Sequence, residues 1–246
     1  MQQAHQSLTG WSSGANLIDA PGMLPCPSPG GAGSTLNGGD KWVEVLHRLH
    51  QPEVVVFANL LSAAECDALI TAAKPRLLRS LTVDTHTGNE ALHPDRTSQG
   101  MFFERFENEV VLRVEKRIAK LLHWPAKHGE GLQVLRYSRG GQYLPHYDYF
   151  DPREAGTPAL LARGGQRVAT LIMYLAEPDA GGTTVFPDLG LQITPKRGQA
   201  VFFSYPQALP TSRSLHGGAP VTAGEKWIAT KWLRQHEFSG FTSTKC

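Results

Sequence analysis

The chain has 246 residues, 41% apolar, 19% charged and 9% aromatic, enough for one sizeable core. Its Gly and Pro follow no three-residue period, which excludes a collagen-like or fully disordered chain. The 24 basic and 22 acidic side chains leave a formal charge of +2, too small an excess to steer it to nucleic acid or anionic lipid. Cys26, Cys66 and Cys246 are odd in number, widely spaced and form no CxxC pair, so they suit a reducing compartment better than a disulfide framework or a zinc site. No basic residue precedes Lys41, and the longest apolar stretches, Val54–Leu61 and Val168–Ala176, fall short of the ~20 residues that span a bilayer. The expectation is a soluble cytoplasmic protein that engages neither membrane nor nucleic acid.

Residues 1–40 hold eight Gly and four Pro without a Lys or Arg, and this composition predicts a flexible tail. From residue 41 to 238 the composition is that of one domain, with a short C-terminal tail over 239–246. Glu53–Asn59 reads as a strand. Ser62 and Glu65 then have capping-box spacing, with Leu61 as a hydrophobic staple, and predict a helix over Ala63–Ala73 that stops near Pro75. Val110, Val111, Val114, Ile118, Leu121 and Leu122 recur at helical spacing and predict a second helix over Glu107–Leu122. Beyond Gly131 the pattern changes to short β segments punctuated by Gly and Pro: Leu132–Tyr137, Gln142–Tyr149, Arg167–Ala176, Thr183–Phe186, Leu191–Thr194, Gln199–Tyr205 and Lys226–Gln235. Supporting helices followed by such a series predict a mainly β protein built as a sandwich, barrel or jelly roll.

Within the predicted strand Gln142–Tyr149, His146 and Asp148 stand two residues apart, so the strand period puts both on one face. An imidazole and a carboxylate aimed into the same space are two-thirds of a facial triad, which leaves open positions on a non-haem iron. Alone, this pair also suits a plain His–Asp hydrogen bond. A later β element supplies His216, and Lys226 follows ten residues on, at the start of an apolar strand. A buried ammonium needs an anion, although a lysine there can also snorkel to water. Two histidines and a carboxylate would equally serve a zinc hydrolase, which has no use for Lys226.

The HxD pair, the distal His and the Lys ten residues after it resemble the Fe(II)/2-oxoglutarate dioxygenases, specifically the prolyl 4-hydroxylase branch. The resemblance extends over roughly residues 53–235 and includes EGLQVLRY (130–137), PHYDYF (145–150), GGQRVATLIMYL (164–175), GGTTVFP (181–187) and LHGG-P-(x)5-KW-AT-KW. It implies a double-stranded β-helix (jelly-roll) core and a requirement for Fe(II), 2-oxoglutarate and O2, with L-ascorbate as reductant. By the same resemblance His146, Asp148 and His216 match the iron ligands. Lys226 matches the residue that pairs with the distal carboxylate of 2-oxoglutarate, and Tyr137 and Thr184 match its hydrogen-bond partners. Tyr143, Arg167, Trp232 and Glu130 correspond to positions along a peptide groove.

The activity so implied is hydroxylation of prolyl residues in a peptide or protein, with release of succinate and CO2. Hydroxylation of another side chain or of a free amino acid on the same scaffold is the alternative, and a non-enzymatic peptide-binding jelly roll is a weaker one. Dioxygenases that demethylate nucleic acid typically hold the keto acid with Arg, so Lys226 and the near-neutral charge argue against them. Ala219 stands where the family often carries Cys, and the connection from Pro187 to Gln199 is short. Both features suggest a compact microbial type.

Overall fold

The computed structural model describes residues 24–80, 82–83, 90–91 and 97–240. In chain order the elements are β1 (Thr35–Asn37), β2 (Trp42–His50), β3 (Glu53–Ala58), α1 (Ala63–Ala73), β4 (Leu78–Arg79), β5 (Thr82–Val83), β6 (Glu90–Ala91), β7 (Gln99–Phe103), α2 (Glu109–Leu122), β8 (Leu132–Tyr137) and β9 (Tyr143–His146). They continue with α3 (Thr157–Leu161), β10 (Arg167–Ala176), β11 (Ala180–Gly181), β12 (Thr184–Phe186), β13 (Leu191–Ile193), β14 (Ala200–Ser204), β15 (His216–Gly218), β16 (Val221–Ala223) and β17 (Lys226–Arg234).

A nine-stranded antiparallel sheet, in the order β1-β2-β3-β14-β10-β17-β8-β7-β4, faces a four-stranded sheet, β13-β12-β15-β9. The two sheets are the layers of the jelly roll. The large sheet is covered on its other face by α1 and α2, so the molecule has two apolar interiors. Val111, Val114, Ile118, Leu121 and Leu122 of α2 pack with Cys66 and Leu69 of α1 against Leu132, Val134, Leu171, Ala229 and Leu233. Between the sheets Leu135, Ile172, Tyr174, Phe186, Val201, Phe203 and Ile228 form the second interior. Successive residues of β8, β10 and β17 therefore alternate between the helix side and the inter-sheet side. Because both sides are apolar, these strands read as near-continuous hydrophobic runs.

The local signals that start the helices are physical contacts. Ser62 Oγ accepts from the Glu65 amide at 3.2 Å and Glu65 Oε2 accepts from the Ser62 amide at 2.8 Å, the reciprocal pair that satisfies two otherwise orphan donors. The second helix starts two residues later than the periodicity suggested, because the Asn108 side chain accepts from Val111 N at 3.0 Å and caps it.

Residues 24–40 correct the tail expected from composition. Leu36 is buried, β1 pairs with β2, and Cys26 N donates to Leu122 O at 3.0 Å. Arg117 of α2 reaches Asp40 and Glu65 together, with Nε to Asp40 Oδ1 at 2.8 Å and Nη2 to Glu65 Oε1 at 2.7 Å. Burial works against that guanidinium, but its two carboxylate partners keep it charged. The Gly/Pro content of this segment reflects turns and extended backbone packed on the domain. Residues 1–23 and 241–246 of the two expected tails lie outside the described residues, as does Cys246.

Candidate active site

Eight of the sequence-predicted site residues line one pocket between the sheets: Tyr137, Tyr143, His146, Asp148, Thr184, His216, Lys226 and Trp232. Its floor is the inter-sheet face of β8, β10 and β17. The register Lys226↔Tyr137 and Ile228↔Leu135 aligns β17 with β8, and Ile172↔Thr230 and Tyr174↔Ile228 align it with β10. The roof is the small sheet, where His216 pairs with His146 across β15 and β9. Gly217 permits that closeness, since a Cβ there would meet Tyr143 O at 2.9 Å and Pro145 N at 3.0 Å.

The expected strand over Gln142–Tyr149 ends at His146, and Asp148 lies in a bend beyond it. His146 and Asp148 thus meet through chain curvature and not through the strand period. His146 Nε2 is 3.5 Å from Asp148 Oδ1, and His216 Nε2 is 3.5 Å from Asp148 Oδ2. The ligand-capable atoms of the three residues lie within 4.8 Å of one another, the only such group among the described residues.

The protonation pattern suits a metal. His146 Nδ1 contacts Leu144 O at 2.8 Å and His216 Nδ1 contacts Ser214 O at 3.0 Å. A carbonyl only accepts, so each Nδ1 carries a proton, and the tautomer this selects presents a bare Nε2 to the shared space. Burial pushes the His216 imidazole down to about 4, which keeps it neutral. Burial alone would raise the Asp148 carboxyl; attraction to the His216 and His146 rings in so far as they carry charge, and to the permanently charged Arg167 guanidinium, outweighs it and holds the group well below the usual carboxylate range. Two neutral nitrogens and one carboxylate, open towards the pocket on one side, fit the donor set of a non-haem iron(II) ion.

Lys226 is 4% exposed, and among the described residues no carboxylate pairs with it. Its Nζ stands 5.8 Å from the ring centroids of both Tyr137 and Tyr174, whose electron-rich faces are its surroundings. Burial pushes the ammonium down to about 8. Beside it, Tyr174 Oη donates to Thr184 Oγ1 at 2.8 Å, and burial keeps that phenol protonated. An unpaired buried cation in a pocket that also holds a metal donor set can pair with an anion able to reach both.

Two predicted groove residues stand elsewhere. Glu130 is buried behind the pocket, where it accepts from Arg167 Nε at 2.6 Å, Arg167 Nη2 at 2.9 Å and Arg234 Nη1 at 3.0 Å. The expected groove position for Glu130 is therefore corrected to a clamp on Arg167. Arg167 lays its guanidinium 4.1 Å from the Trp232 ring centroid and 4.8 Å from that of Phe150, and Nη1 donates to Asp148 O at 3.3 Å. Trp232 Nε1 is buried without a hydrogen-bond partner. Tyr143 stacks on the His146 ring at 3.7 Å between centroids.

Sequence reasoning missed Thr170, Tyr174, Tyr205 and Arg234. Thr170 had a signal, the one small polar side chain in the otherwise aliphatic and aromatic run VATLIMYL. Tyr205 had none, because its partner lies 35 residues away on another strand.

Comparison with known proteins agrees with this geometry. Residues 132–234 match the 2OG-Fe(II) oxygenase superfamily. Prolyl 4-hydroxylase 5 of Arabidopsis thaliana is 42% identical over 228 residues, covering 84% of this chain and 76% of that one. Probable prolyl 4-hydroxylase 3 of the same plant is also 42% identical, over 81% of this chain and 75% of its own length. The chain belongs to the prolyl 4-hydroxylase family of 2-oxoglutarate/Fe(II) oxygenases. Among solved structures, the viral collagen prolyl hydroxylase of Paramecium Bursaria Chlorella virus-1, in complex with 2-oxoglutarate, is 33% identical with a TM-score of 0.57, covering 74% of this chain and 95% of that one. Family membership makes the protein a 2-oxoglutarate-dependent dioxygenase with a jelly-roll core, for which Fe(II) is the metal and 2-oxoglutarate and O2 are the cosubstrates. Among the described residues no helix is long and apolar enough to cross a membrane.

Proposed function

We propose that this enzyme hydroxylates prolyl residues of a peptide or protein, consuming 2-oxoglutarate and O2 and releasing succinate and CO2. The observation that carries the reading is the coexistence, in one pocket, of a bare N,N,O donor set with an unpaired buried ammonium. That pairing suits a keto acid whose one end chelates a metal and whose other end is a free carboxylate. The 42% identity to Arabidopsis prolyl 4-hydroxylases supports proline as the target.

In this reading His146, Asp148 and His216 hold Fe(II). Lys226 binds the distal carboxylate of 2-oxoglutarate, with Tyr137 and Thr184 as its hydrogen-bonding neighbours. When bound, iron and keto acid supply the oxidising chemistry that places one oxygen atom of O2 in a C–H bond. The protein's own part is orientation and exclusion of water. The two Nδ1–H contacts to backbone carbonyls fix the imidazole planes, and the apolar floor of Leu135, Ile172 and Ile228 keeps water from the reacting centre. Tyr143 and Trp232 form the entrance, with Arg167 stacked against Trp232 from behind, and an extended, polyproline-II-like segment is pre-organised to dock there. Glu130 acts there indirectly, by holding Arg167. Ascorbate serves as the reductant that keeps the iron ferrous. A reducing, cytoplasmic compartment suits the free Cys26 and Cys66.

The test is incubation with Fe(II), 2-oxoglutarate, ascorbate and proline-rich peptides, with mass spectrometry and a succinate assay in parallel. The expected product is heavier by about 16 Da on proline, with succinate formed in step. Stimulation by free amino acids with none by peptides would move the substrate to a small molecule.

A further inference from the structure

In His146, Asp148 and His216 the heteroatom turned away from the shared space is held in place, but by different means. Each of the two histidines uses the backbone carbonyl two residues earlier, Leu144 O on β9 for His146 and Ser214 O just before β15 for His216. Asp148 stands in a bend outside the strands and has no such local anchor. Its Oδ2 instead accepts from Thr170 Oγ1 at 2.7 Å, across the sandwich, and Thr170 Oγ1 lies 2.9 Å from Tyr205 Oη. We propose that Thr170 and Tyr205 form a hydroxyl relay that fixes the rotation of the Asp148 carboxylate and presents Oδ1 to the metal, making them positioning residues of the centre. The proposal rests on the reading of His146, Asp148 and His216 as the metal site.

The direction of the relay follows from proton counting. An ionised carboxylate only accepts, so the single Thr170 proton points at Asp148. The Thr170 oxygen can then only accept from Tyr205, whose phenol is the donor at the far end. Burial pushes that phenol well above its usual range, so the proton stays in place. Oδ2, which also lies 3.5 Å from His216 Nε2, thereby has a lone pair taken up by Thr170, whereas Oδ1, 3.5 Å from His146 Nε2, accepts no such bond among the described residues and is the oxygen left for the ion.

The relay stands on rigid elements. Thr170 is fully buried at the middle of β10, paired with Phe203 of β14 on one side and Trp232 of β17 on the other. Tyr205 follows β14 directly and its amide donates to Val168 O at 3.0 Å. Hydrogen bonds from the surroundings to a metal ligand commonly set affinity by 10–100-fold when removed.

Metal binding, without turnover, is the direct test. Co(II) is titrated into the full chain under anaerobic conditions, without keto acid, and its visible absorption is recorded. Circular dichroism and thermal melting confirm folding. Thr170→Val, which keeps the shape and loses the hydroxyl, should weaken Co(II) binding by about 10–100-fold and alter the ligand-field bands. Tyr205→Phe should have the same sense of effect and a smaller size, since it acts through Thr170. Thr170→Ser should restore near-parent affinity and spectrum. Should Thr170→Val prove too unstable to purify, Thr170→Ser and Tyr205→Phe decide between relay and packing. Parent-like affinity and bands in both hydroxyl-lacking variants would overturn the relay, as would a loss in Thr170→Ser equal to that in Thr170→Val, which would assign the effect to the methyl group. Asp148→Ala that still binds Co(II) like the parent would sink the triad reading itself, a result separable from the others.

Discussion

Strand β17 carries two buried lysines on opposite faces, and their surroundings could hardly differ more. Lys231, 2% exposed, points to the helix side, where its Nζ donates to Glu115 Oε1 and to the Glu130 carbonyl. Lys226, 4% exposed, points between the sheets, where two tyrosine rings and no carboxylate surround it. Burial lowers both ammonium groups, and Glu115 offsets that effect only for Lys231. A buried charge with its partner in the chain is a structural pair; one without a partner is a standing cost, retained because its partner arrives from solution. The same reasoning separates the two interiors of the molecule. On the helix side the buried ammonium of Lys231 has its carboxylate, whereas the inter-sheet side holds Lys226, bare imidazole nitrogens and the orphan Trp232 Nε1.

The sharpest way to break this contrast is to remove the partner on the satisfied side. Glu115 is 1% exposed and its Oε2 also accepts from Phe106 N at 2.8 Å. Lys231→Met should destabilise the fold by about 3–5 kcal/mol, because it leaves that carboxylate buried and uncompensated. Chemical denaturation reads this directly. The double replacement Glu115→Gln with Lys231→Met should recover much of the loss.

The opposite sign is expected on the open side. A depression of Lys226 from 10.5 to about 8 corresponds to about 3 kcal/mol of unfavourable burial. Lys226→Met should therefore raise the stability of the ligand-free protein by up to about that amount while removing the anion receptor. The sign depends on pH. Between about 8 and 10.5 the unfolded chain holds a proton that the native state has released, so parent stability rises with pH there and the advantage of Lys226→Met shrinks. Melting curves at pH 7 and 10 check this. A variant less stable than the parent at pH 7 would contradict the unpaired-charge account.

The same variant should lose about 10–100-fold in 2-oxoglutarate affinity, the equivalent of one charge-assisted contact of about 1.5–3 kcal/mol. Lys226→Arg should rescue only in part, since a planar fork replaces a compact ammonium in a fitted pocket. Calorimetric titration of the keto acid against the anaerobic Fe(II) enzyme measures both.

The smallest effect is a pH slope. Only the protonated ammonium pairs with a carboxylate, so 2-oxoglutarate affinity in the parent should fall above pH 8, by at most about tenfold per pH unit. Binding at pH 9 should take up a proton, which titrations in two buffers of different ionisation enthalpy reveal. Lys226→Met should show neither the slope nor the proton uptake.

Much of this was legible in the sequence because the signals were local. The capping box Ser62/Glu65, the helical repeat of Val111, Val114 and Ile118, and the apolar runs of β8, β10 and β17 each depend on residues a few positions apart. The metal-capable residues were legible through family likeness, since HxD alone suits many structures. The erroneous expectations came from long range. Residues 24–40 are anchored by Arg117 and Leu122, far along the chain, and composition carries no trace of such partners. Glu130 looked like a groove residue because its segment belongs to the site, but its direction is set by two arginines on β10 and β17.

By itself, then, the sequence determined helices α1 and α2 and the central strands β3, β8, β10, β14 and β17, and the alternation that gives those strands two buried faces. The tertiary structure alone decided which charges are answered. Lys226 and Lys231 have the same chemistry and lie five residues apart, and periodicity says only that they face opposite ways. Whether a carboxylate waits on the other side depends on the placement of α2 against one face and of the small sheet against the other. Ion pairing and hydrogen bonding act over a few ångströms in space and are indifferent to separation along the chain.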